Sequence, residues 1–286
     1  MKLSVIITTL GGIELKDTVT SLQNNSIRPM EILICIPNSS ELLPDIDLSD
    51  NVEIIVAKKK GQVYQRMIGF LAAKGELVLQ IDDDVTLEKD AIKMMVNFLN
   101  SLDKNAAIAP LIFKKGTDQS VFMGNRSTFA SRVSDWVMNG ISGYKPGIIS
   151  LSGVGFGINF NDKLQHKTEF EWLPGGCILH RSKNLITQDY FPFSGKAYSE
   201  DLMHSLLLRE NGIKLYVCNN AIAYVGATPY PDSLIEFYRQ YQATKYAVNL
   251  QRKGFVRLNL FSFLRLIKII LRVTSKSLLS FVKKSR

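Results

Sequence analysis

Cysteine and histidine are both scarce in this chain. The three cysteines, Cys35, Cys177 and Cys218, lie far apart among 286 residues and form neither a Cys-x-x-Cys pair nor a zinc-ligand spacing. This excludes a disulfide-rich secreted domain and a cysteine zinc site, and it favours a reduced, cytosolic protein. The three histidines also lack the paired spacing of metal ligands, and we expect His180 and His204 to be structural.

Long hydrophobic runs and acidic residues are missing from the C-terminal segment. Residues 252–286 contain ten lysines and arginines and no acid, whereas residues 1–251 carry 25 basic and 26 acidic residues. The longest uncharged stretch of the segment, residues 258–264, is far shorter than the roughly 20 residues that cross a bilayer. The basic character of the chain therefore belongs to this tail, which is not a transmembrane helix.

The same tail predicts an amphipathic helix. On a helical wheel, five of its basic residues fall within about 80° of one another. They are Arg265, Lys268, Arg272, Lys276 and Lys283, and apolar residues occupy the opposite side. Residues 255–286 are therefore expected to lie on an anionic membrane surface, at the cytoplasmic face of the cell membrane. The alternatives are packing on the body or on a second subunit; a nucleic-acid partner is not expected, because the body is not basic.

The first part of the chain alternates β-branched runs with helix-period segments, which is typical of a parallel sheet with helices on its faces. The N-terminal apolar run is too short for a signal peptide and predicts the first strand. The predicted strands are residues 3–9, 31–36, 52–56, 76–81, 106–113 and 214–218, and the predicted helices are residues 14–25, 62–73, 91–102 and 199–210. Residues 114–170 give a weak signal, which we interpret as a substrate-facing region or an insertion.

Three consecutive acids, Asp82, Asp83 and Asp84, follow the apolar run of residues 77–81. Because side chains alternate along a strand, Asp82 and Asp84 are expected to point the same way, with Cα atoms roughly 6 to 7 Å apart. A Mg²⁺ or Mn²⁺ ion that bridges them to a substrate's phosphates would offset their repulsion. The alternative is a solvated turn whose acids are favoured by the dipole of the following helix.

A second acidic pair, Glu200 and Asp201, opens a predicted helix that ends before Gly212. Acids at a helix N-terminus are favoured by the helix dipole, so stability alone accounts for this pair as well as catalysis does. Upstream, the double glycine Gly175-Gly176 precedes a short apolar run.

Taken together, these elements resemble the family 2 glycosyltransferases. The matching elements are residues 4–9, then Arg66 and Gly69 with residues 72–76 leading into the triple acid, then the double glycine and the Glu200-Asp201 pair. Their order and spacing cover about residues 3–225. The resemblance implies an α/β fold of the GT-A type, with a Rossmann-like, mostly parallel central sheet flanked by helices. It also implies inverting transfer of a sugar from a nucleotide diphosphate sugar.

The resemblance implies donor-side roles for five residues. Thr8 and Thr9 would border the nucleotide, and Arg66 would face its base or phosphates. Asp83 would lie near the ribose or diphosphate. Asp82, which also borders the donor, would hold the divalent metal together with Asp84.

On the acceptor side, the resemblance implies that Asp201 is the general base and that Glu200 orients the acceptor. Gly175 and Gly176 would line the acceptor site. Trp172 is either a stacking platform for a sugar ring or a core aromatic residue.

The sequence departs from the family pattern at two places. Where the family commonly has an acid after the second strand to hold the base, this chain has Pro37 and Asn38. Many members also have a metal-binding histidine after the last strand, and none lies near Gly226. Base recognition and the number of metal ligands are therefore expected to differ.

These observations predict a metal-assisted hexosyltransferase of polysaccharide biosynthesis that modifies a cell-surface or lipid-linked glycan. Residues 1–251 would form the GT-A domain, with a donor half at about 1–113 and an acceptor half at about 114–251, and residues 252–286 would form the tail. One alternative is an inactive, membrane-associated scaffold of the same fold. Another is a nucleotidyltransferase, which the missing Gly-rich phosphate loop disfavours.

Overall fold

The structure is a computed structural model of the chain. It describes residues 2–37, 50–122, 128–159, 162, 167–226 and 233–284, with side chains as far as residue 272. Its contacts divide the chain into two compact units. The first unit comprises Met1–Asn125, Lys145–Ile148 and Gly155–Ala227, and the second comprises Arg126–Tyr144, Ile149–Val154 and Thr228–Arg286.

The strands lie in the first unit. They are β1 Leu3–Thr8, β2 Glu31–Pro37, β3 Val52–Ala57, β4 Leu77–Asp82, β5 Val85–Leu87, β6 Ala106–Lys114, β7 Cys177–Arg181 and β8 Lys214–Val225. They form one sheet in the order β3-β2-β1-β4-β7-β6-β8-β5. The neighbours from β3 to β4 are parallel, as are β6 and β8, whereas β7 and β5 run antiparallel to their neighbours. The predicted mostly parallel sheet is confirmed.

Helices of the first unit cover both faces of the sheet, and the second unit has three helices of its own. They are α1 Leu15–Gln23, α2 Gln62–Ala72, α3 Ala91–Asn100 and α5 Glu200–Glu210 in the first unit, and α4 Phe129–Asn139, α6 Leu234–Leu250 and α7 Phe255–Lys284 in the second. Side chains alternate along β1, so Val5 and Ile7 pack in the cluster that includes α1 and α3, while Ile6 packs with Phe70 of α2. The apolar run of β1 is therefore buried on both sides.

Helix α2 is fixed closely against the ends of β1 and β2. A Cβ atom at Gly69 would lie 2.4 Å from Ile6 Cγ2 and 2.8 Å from the sulfur of Cys35, so only glycine permits this approach. One turn earlier, the buried amide of Gln65 donates to the carbonyl oxygens of Thr9 at 2.9 Å and Cys35 at 2.7 Å. These contacts place Arg66, the next residue of α2, at the carboxyl edge of the sheet.

The sequence patterns missed helices α4 and α6 and strand β5. Helix α4 lies in the weakly patterned residues 114–170; it begins after Thr128, whose side chain accepts a hydrogen bond from the Ser131 amide, and it ends at Gly140 with φ +77°. Its buried residues are only Asp135 and Val137, so it lacks the apolar stripe that reveals a helix in sequence. Strand β5 has three residues and pairs with the distal part of β8, which extends past the predicted end at residue 218.

The second unit is helical, and α7 packs against both α4 and α6. The contacts group α6 with the tail, whereas the predicted boundary at residue 251 separates them, and that domain assignment stays a prediction. In the part of the chain that the structure describes, no helix combines the length and the hydropathy that a membrane crossing requires.

Candidate active site

The candidate site begins where β1 and β4 end side by side. Thr8 is the register partner of Asp82 in this parallel pair, so the triple acid follows directly beside the end of β1. Carboxyl ends of parallel strands are where ligands bind in open α/β sheets. The hydroxyl oxygen of Thr8 is buried and has no hydrogen-bond partner among the described residues. The predicted contact of Thr8 and Thr9 with a nucleotide stays a prediction.

Asp83 accepts hydrogen bonds from Thr9, which follows β1, and from Thr18 of α1. Its carboxylate accepts a hydrogen bond from the Thr9 hydroxyl, and its backbone oxygen accepts one from the Thr18 hydroxyl at 2.7 Å. The Thr9 oxygen also accepts from the Gly11 amide at 2.8 Å. Burial raises the pKa of Asp83, and the hydrogen bond from Thr9 offsets part of that rise. Its hydrogen bonds therefore fix the loop on which Asp82 and Asp84 are held.

Arg66 connects the two acidic motifs. The side chain is 3% exposed; Nη1 donates to Glu200 Oε1, and Nη2 lies 3.5 Å from Asp82 Oδ1. Burial lowers the pKa of Arg66, but Glu200, Tyr190 and Asp82 more than compensate, so the net shift is upward and the guanidinium stays charged. Motifs that are more than 110 residues apart in sequence thus meet on one cation. Its predicted contact with the donor stays a prediction.

The double glycine brings a loop backbone against both acidic motifs. A Cβ atom at Gly175 would lie 3.0 Å from Glu200 Oε2 and 3.2 Å from Asp201 Cβ, and one at Gly176 would lie 3.4 Å from Asp82 Oδ2. The Gly176 carbonyl oxygen also accepts a hydrogen bond from the Asp82 amide at 2.9 Å. Side chains at these positions would crowd the carboxylates, so the glycines keep the loop and the two motifs at contact distance.

Asp201 and Asp82 both hold their protons more tightly than an exposed aspartate. Burial, followed by repulsion from Glu200, raises the pKa of Asp201 to about 7. Burial also raises the pKa of Asp82 to about 6, against the lowering effect of Arg66. A carboxylate with a pKa near the working pH is well matched to accepting a proton in a reaction.

The first turn of α5 is presented by a strained residue. Ser199, immediately before the helix, has φ 56° and ψ 18°, a left-handed backbone conformation that residues other than glycine rarely adopt. Such conformations cost on the order of 1 to 3 kcal/mol and cluster at functional sites. Here the turn places Glu200 and Asp201 next to each other at the start of the helix, against Arg66 and the double glycine.

Tyr190 is a site residue that the sequence patterns did not reveal. Its hydroxyl donates to Glu200 Oε1 at 2.7 Å, so Glu200 is held from two directions. Its ring stacks on that of His204 with centroids 5.9 Å apart and planes 1° from parallel. Burial, followed by proximity to Arg66, lowers the pKa of His204 to about 3, so this histidine is neutral.

Gln80 and His180 form a buried pair beneath the loop of the double glycine. The Gln80 amide donates to the Gly175 carbonyl oxygen at 2.7 Å, and Gln80 Oε1 lies 3.3 Å from His180 Nε2. Burial lowers the pKa of His180 well below the usual value. The one signal available in the sequence was a glutamine inside the apolar run of β4, because a buried amide needs polar partners.

Trp172 lies in a packed environment. The residue is 5% exposed; its indole nitrogen donates to the Phe156 carbonyl oxygen at 3.1 Å, and its ring meets Phe122 edge-on with centroids 5.8 Å apart. Its position matches the alternative of a core aromatic residue. Its role as a platform for a sugar stays a prediction, as do the acceptor roles of Gly175 and Gly176.

The residues present fit a divalent cation in the chemistry of their donors. Asp82 and Asp84 offer the hard carboxylate oxygens that Mg²⁺ and Mn²⁺ prefer. Burial and then the neighbouring Asp83 raise the pKa of Asp84, so a nearby cation would relieve the carboxylates of repulsion. Within the described residues, no group of three or more histidine, cysteine or acidic side chains is arranged as a metal site.

Of the two departures from the family pattern, Pro37 is the last residue of β2, while Asn38 lies outside the described residues. Gly226 follows β8, and the described chain ends there before it resumes at residue 233. The expected differences in base recognition and metal ligation stay predictions.

Comparison with known proteins places the chain in a family. A family model described as glycosyl transferase family 2 matches residues 4–151. No curated protein matches the chain. Among solved structures, GalNAc-T7 with UDP, GalNAc and Mn²⁺ is 16% identical with a TM-score of 0.57, over 82% of this chain and 46% of that one. Residues 1–349 of S. aureus TarS with UDP-GlcNAc are 16% identical with a TM-score of 0.52, over 86% and 65%.

This chain therefore spans less than two thirds of either solved structure, and at 16% identity the likeness concerns the fold. The fold agrees with the predicted GT-A architecture, and the family match covers strands β1 to β6, helices α1 to α4 and the triple acid. The chain belongs to glycosyl transferase family 2.

Proposed function

We propose that this chain is an inverting glycosyltransferase that moves a sugar from a nucleotide diphosphate sugar to an acceptor hydroxyl, with Asp201 as the general base. The observation that carries the proposal is the meeting of the two acidic motifs. Arg66 contacts both Asp82 and Glu200, and the double glycine contacts the same two motifs. A structural role at a helix N-terminus would not require this convergence.

The reaction is a single displacement. The acceptor oxygen attacks the anomeric carbon, while the bond from that carbon to the diphosphate breaks on the opposite face and its electron pair leaves with the diphosphate. The acceptor's proton passes to Asp201, whose pKa of about 7 suits that task. Glu200, held by Arg66 and Tyr190, is fixed beside Asp201 and orients the acceptor.

The donor side rests on the triple acid. Asp82 and Asp84 would hold a Mg²⁺ or Mn²⁺ ion, which when bound acts as a Lewis acid on the departing diphosphate. The two similar solved structures were obtained with UDP or UDP-GlcNAc, which makes uridine diphosphate sugars the first donors to test here. We place Thr8 and Thr9 at the nucleotide because Thr8 ends β1 beside Asp82 and Thr9 follows it.

The acceptor is a cell-surface or lipid-linked glycan reached at the cytoplasmic face of the membrane. Residues 255–286 contain eight basic residues and no acid, which suits an anionic leaflet. Exposed apolar side chains of α7, among them Phe263 and Ile267, would enter the lipid.

The substitution Asp201→Asn tests the general base. It removes the proton acceptor without changing side-chain size, so kcat should fall about 10²- to 10⁴-fold, while the Kd for the donor stays within about threefold because only the acceptor loses a partner. Turnover is followed by release of nucleoside diphosphate with acceptor present. Asp17→Asn is the matched control, since Asp17 is an exposed partner of Lys115 and its loss should leave kcat unchanged. Wild-type turnover in Asp201→Asn would remove Asp201 from the mechanism.

A further inference from the structure

Helix α4 exposes a row of large apolar side chains. Phe129, Val133 and Trp136 are 83%, 44% and 49% exposed, and their spacing of four and three residues puts them on one helical face. Ile141 and Leu151, which follow the end of α4 in the same unit, are exposed as well. A contiguous exposed patch of this kind marks a surface with a partner.

Helix α7 exposes a second apolar row. Its members are Val256, Leu260, Phe263, Leu264, Ile267 and Leu271. At 100° per residue these six side chains lie within about 100° of one another. The buried residues Leu258 and Ile269 lie on the other side of the helix. That side meets α6, where Arg265 donates to Gln240 at 3.0 Å. The packing that the sequence left open therefore uses one side of α7 and leaves the wide apolar row exposed.

The two rows adjoin through Trp136 and Arg257. The Arg257 guanidinium lies 4.5 Å from the centroid of the indole ring and donates to the Trp136 carbonyl oxygen at 2.7 Å. A Cβ atom at Gly140 would lie 3.4 Å from Arg257 Nη2, so the glycine that ends α4 also leaves room for this arginine. Trp136 thus belongs to the α4 row and touches the basic flank of α7.

Charge decides between the possible partners. The sequence of the second unit contains fourteen lysines and arginines and three acids, out of 35 and 26 in the whole chain. A second copy of this chain would oppose like charges, which disfavours self-association. Exposed apolar rows with a tryptophan, in a unit with this excess of basic residues, match the interface of an anionic bilayer.

We propose that α4 and α7 together form one membrane-docking surface, on which Phe129, Val133 and Trp136 enter the headgroup and acyl boundary of an anionic bilayer. The proposal extends the membrane attachment proposed for residues 255–286 by adding a helix from a distant part of the sequence. It does not depend on glycosyl transfer.

The chain's two tryptophans allow a direct test, because Trp136 is exposed and Trp172 is buried. The full-length protein is mixed with vesicles of 70% phosphatidylcholine and 30% phosphatidylglycerol that carry a nitroxide on the acyl chain. We expect quenching of tryptophan fluorescence in the wild type and loss of that quenching in Trp136→Phe. Sedimentation with the vesicles should show that Trp136→Phe still binds them. Binding without quenching in the wild type would overturn the role of α4, and absence of any vesicle binding would overturn both membrane proposals.

A charge-insertion pair measures the contribution of α4. Phe129→Glu with Val133→Glu should weaken binding to these vesicles about tenfold or more, because two apolar side chains are lost from the interface. A glutamate at position 129 is compatible with the first turn of a helix. Leu71→Glu, an exposed leucine of α2 in the first unit, is the control and should bind like the wild type.

The same variants separate the membrane from a second copy of the chain. Analytical ultracentrifugation without lipid should show a monomer for both the wild type and the double variant. A wild-type dimer that Phe129→Glu with Val133→Glu dissociates would assign the surface to self-association and contradict the proposal. Metal-dependent donor hydrolysis, measured in the same preparations, reports on the proposed enzyme independently.

Discussion

The two units of this chain differ in their balance of basic and acidic residues and in the kind of side chain that each exposes or buries. The first unit has 21 basic and 23 acidic residues in its sequence and buries Arg66 and Glu200. The second has fourteen basic and three acidic residues and leaves large apolar side chains exposed. Buried charges are costly unless they are paired, and exposed apolar rows are uncommon on soluble surfaces. In each unit the proposed function depends on the feature that disfavours stability: the buried charges in the first unit and the exposed apolar side chains in the second.

The largest expected difference between the units concerns the buried cation. Arg66→Ala leaves Glu200 and Asp82 without their shared partner and should lower the free energy of unfolding by about 3 to 5 kcal/mol, as measured by urea denaturation. Lys59→Ala removes one partner of the exposed ion pair with Asp189 and should cost less than about 1 kcal/mol. Equal losses in the two variants would show that the Arg66 cluster is not a buried network.

A smaller effect is expected from the hydroxyl that holds Glu200. Tyr190→Phe removes a hydrogen bond to a carboxylate, worth about 1.5 to 3 kcal/mol, and should lower kcat by about tenfold with donor Kd unchanged. Vesicle binding should not change, because the proposed membrane surface lies in the second unit. Tyr224→Phe is the matched control, since Tyr224 donates to the exposed Glu88 at the same 2.7 Å. Full activity in Tyr190→Phe would separate Tyr190 from the site.

The smallest effect is a pH dependence of stability that arises in the first unit. The folded pKa values of Asp201 and Asp82, about 7 and about 6, lie above the ordinary 3.8. The folded state therefore binds more protons between about pH 4 and 7, and stability falls as the pH rises through this window. We expect a loss of about 1 to 2 kcal/mol, smaller than the full pKa shift of Asp201 would give, because the residue is only partly buried and solvent screens its charge.

Activity should run in the opposite direction, because Asp201 accepts a proton only when ionised. The value of kcat/KM should rise through about pH 7. Vesicle binding should stay constant from pH 5 to 8, since lysine and arginine do not titrate there. In Asp201→Asn the fall in stability should shrink. An unchanged fall in that variant would assign the pH dependence to other groups.

The sequence predicted the first unit far better than the second. Strands β1, β2 and β4 follow from apolar runs because both of their faces are buried, and helix α2 follows from helical periodicity. Helix α4 escaped because its apolar residues face outward, so it has no stripe toward a core. Periodicity predicts which side of a helix packs on the core of its own chain, and it fails where the apolar side chains of a helix are exposed.

Within the candidate site, the acids and glycines were found because they are clustered in sequence. Tyr190 was not, since it reaches the site through its hydrogen bond to Glu200 and its ring contact with His204, and no local pattern encodes such contacts. The left-handed conformation of Ser199 was equally hidden, because serine is not a residue that this conformation favours.

Donor turnover tests the central claim most directly. The purified full-length chain is incubated with a panel of uridine and other nucleotide diphosphate sugars, with Mn²⁺ or Mg²⁺ and then with chelator, and released nucleoside diphosphate is measured beside Asp84→Ala. The account predicts metal-dependent release from one donor, lost with chelator and in the variant. Tight, metal-dependent donor binding with no turnover, even when membrane lipid extract supplies acceptors, would contradict it and favour an inactive scaffold.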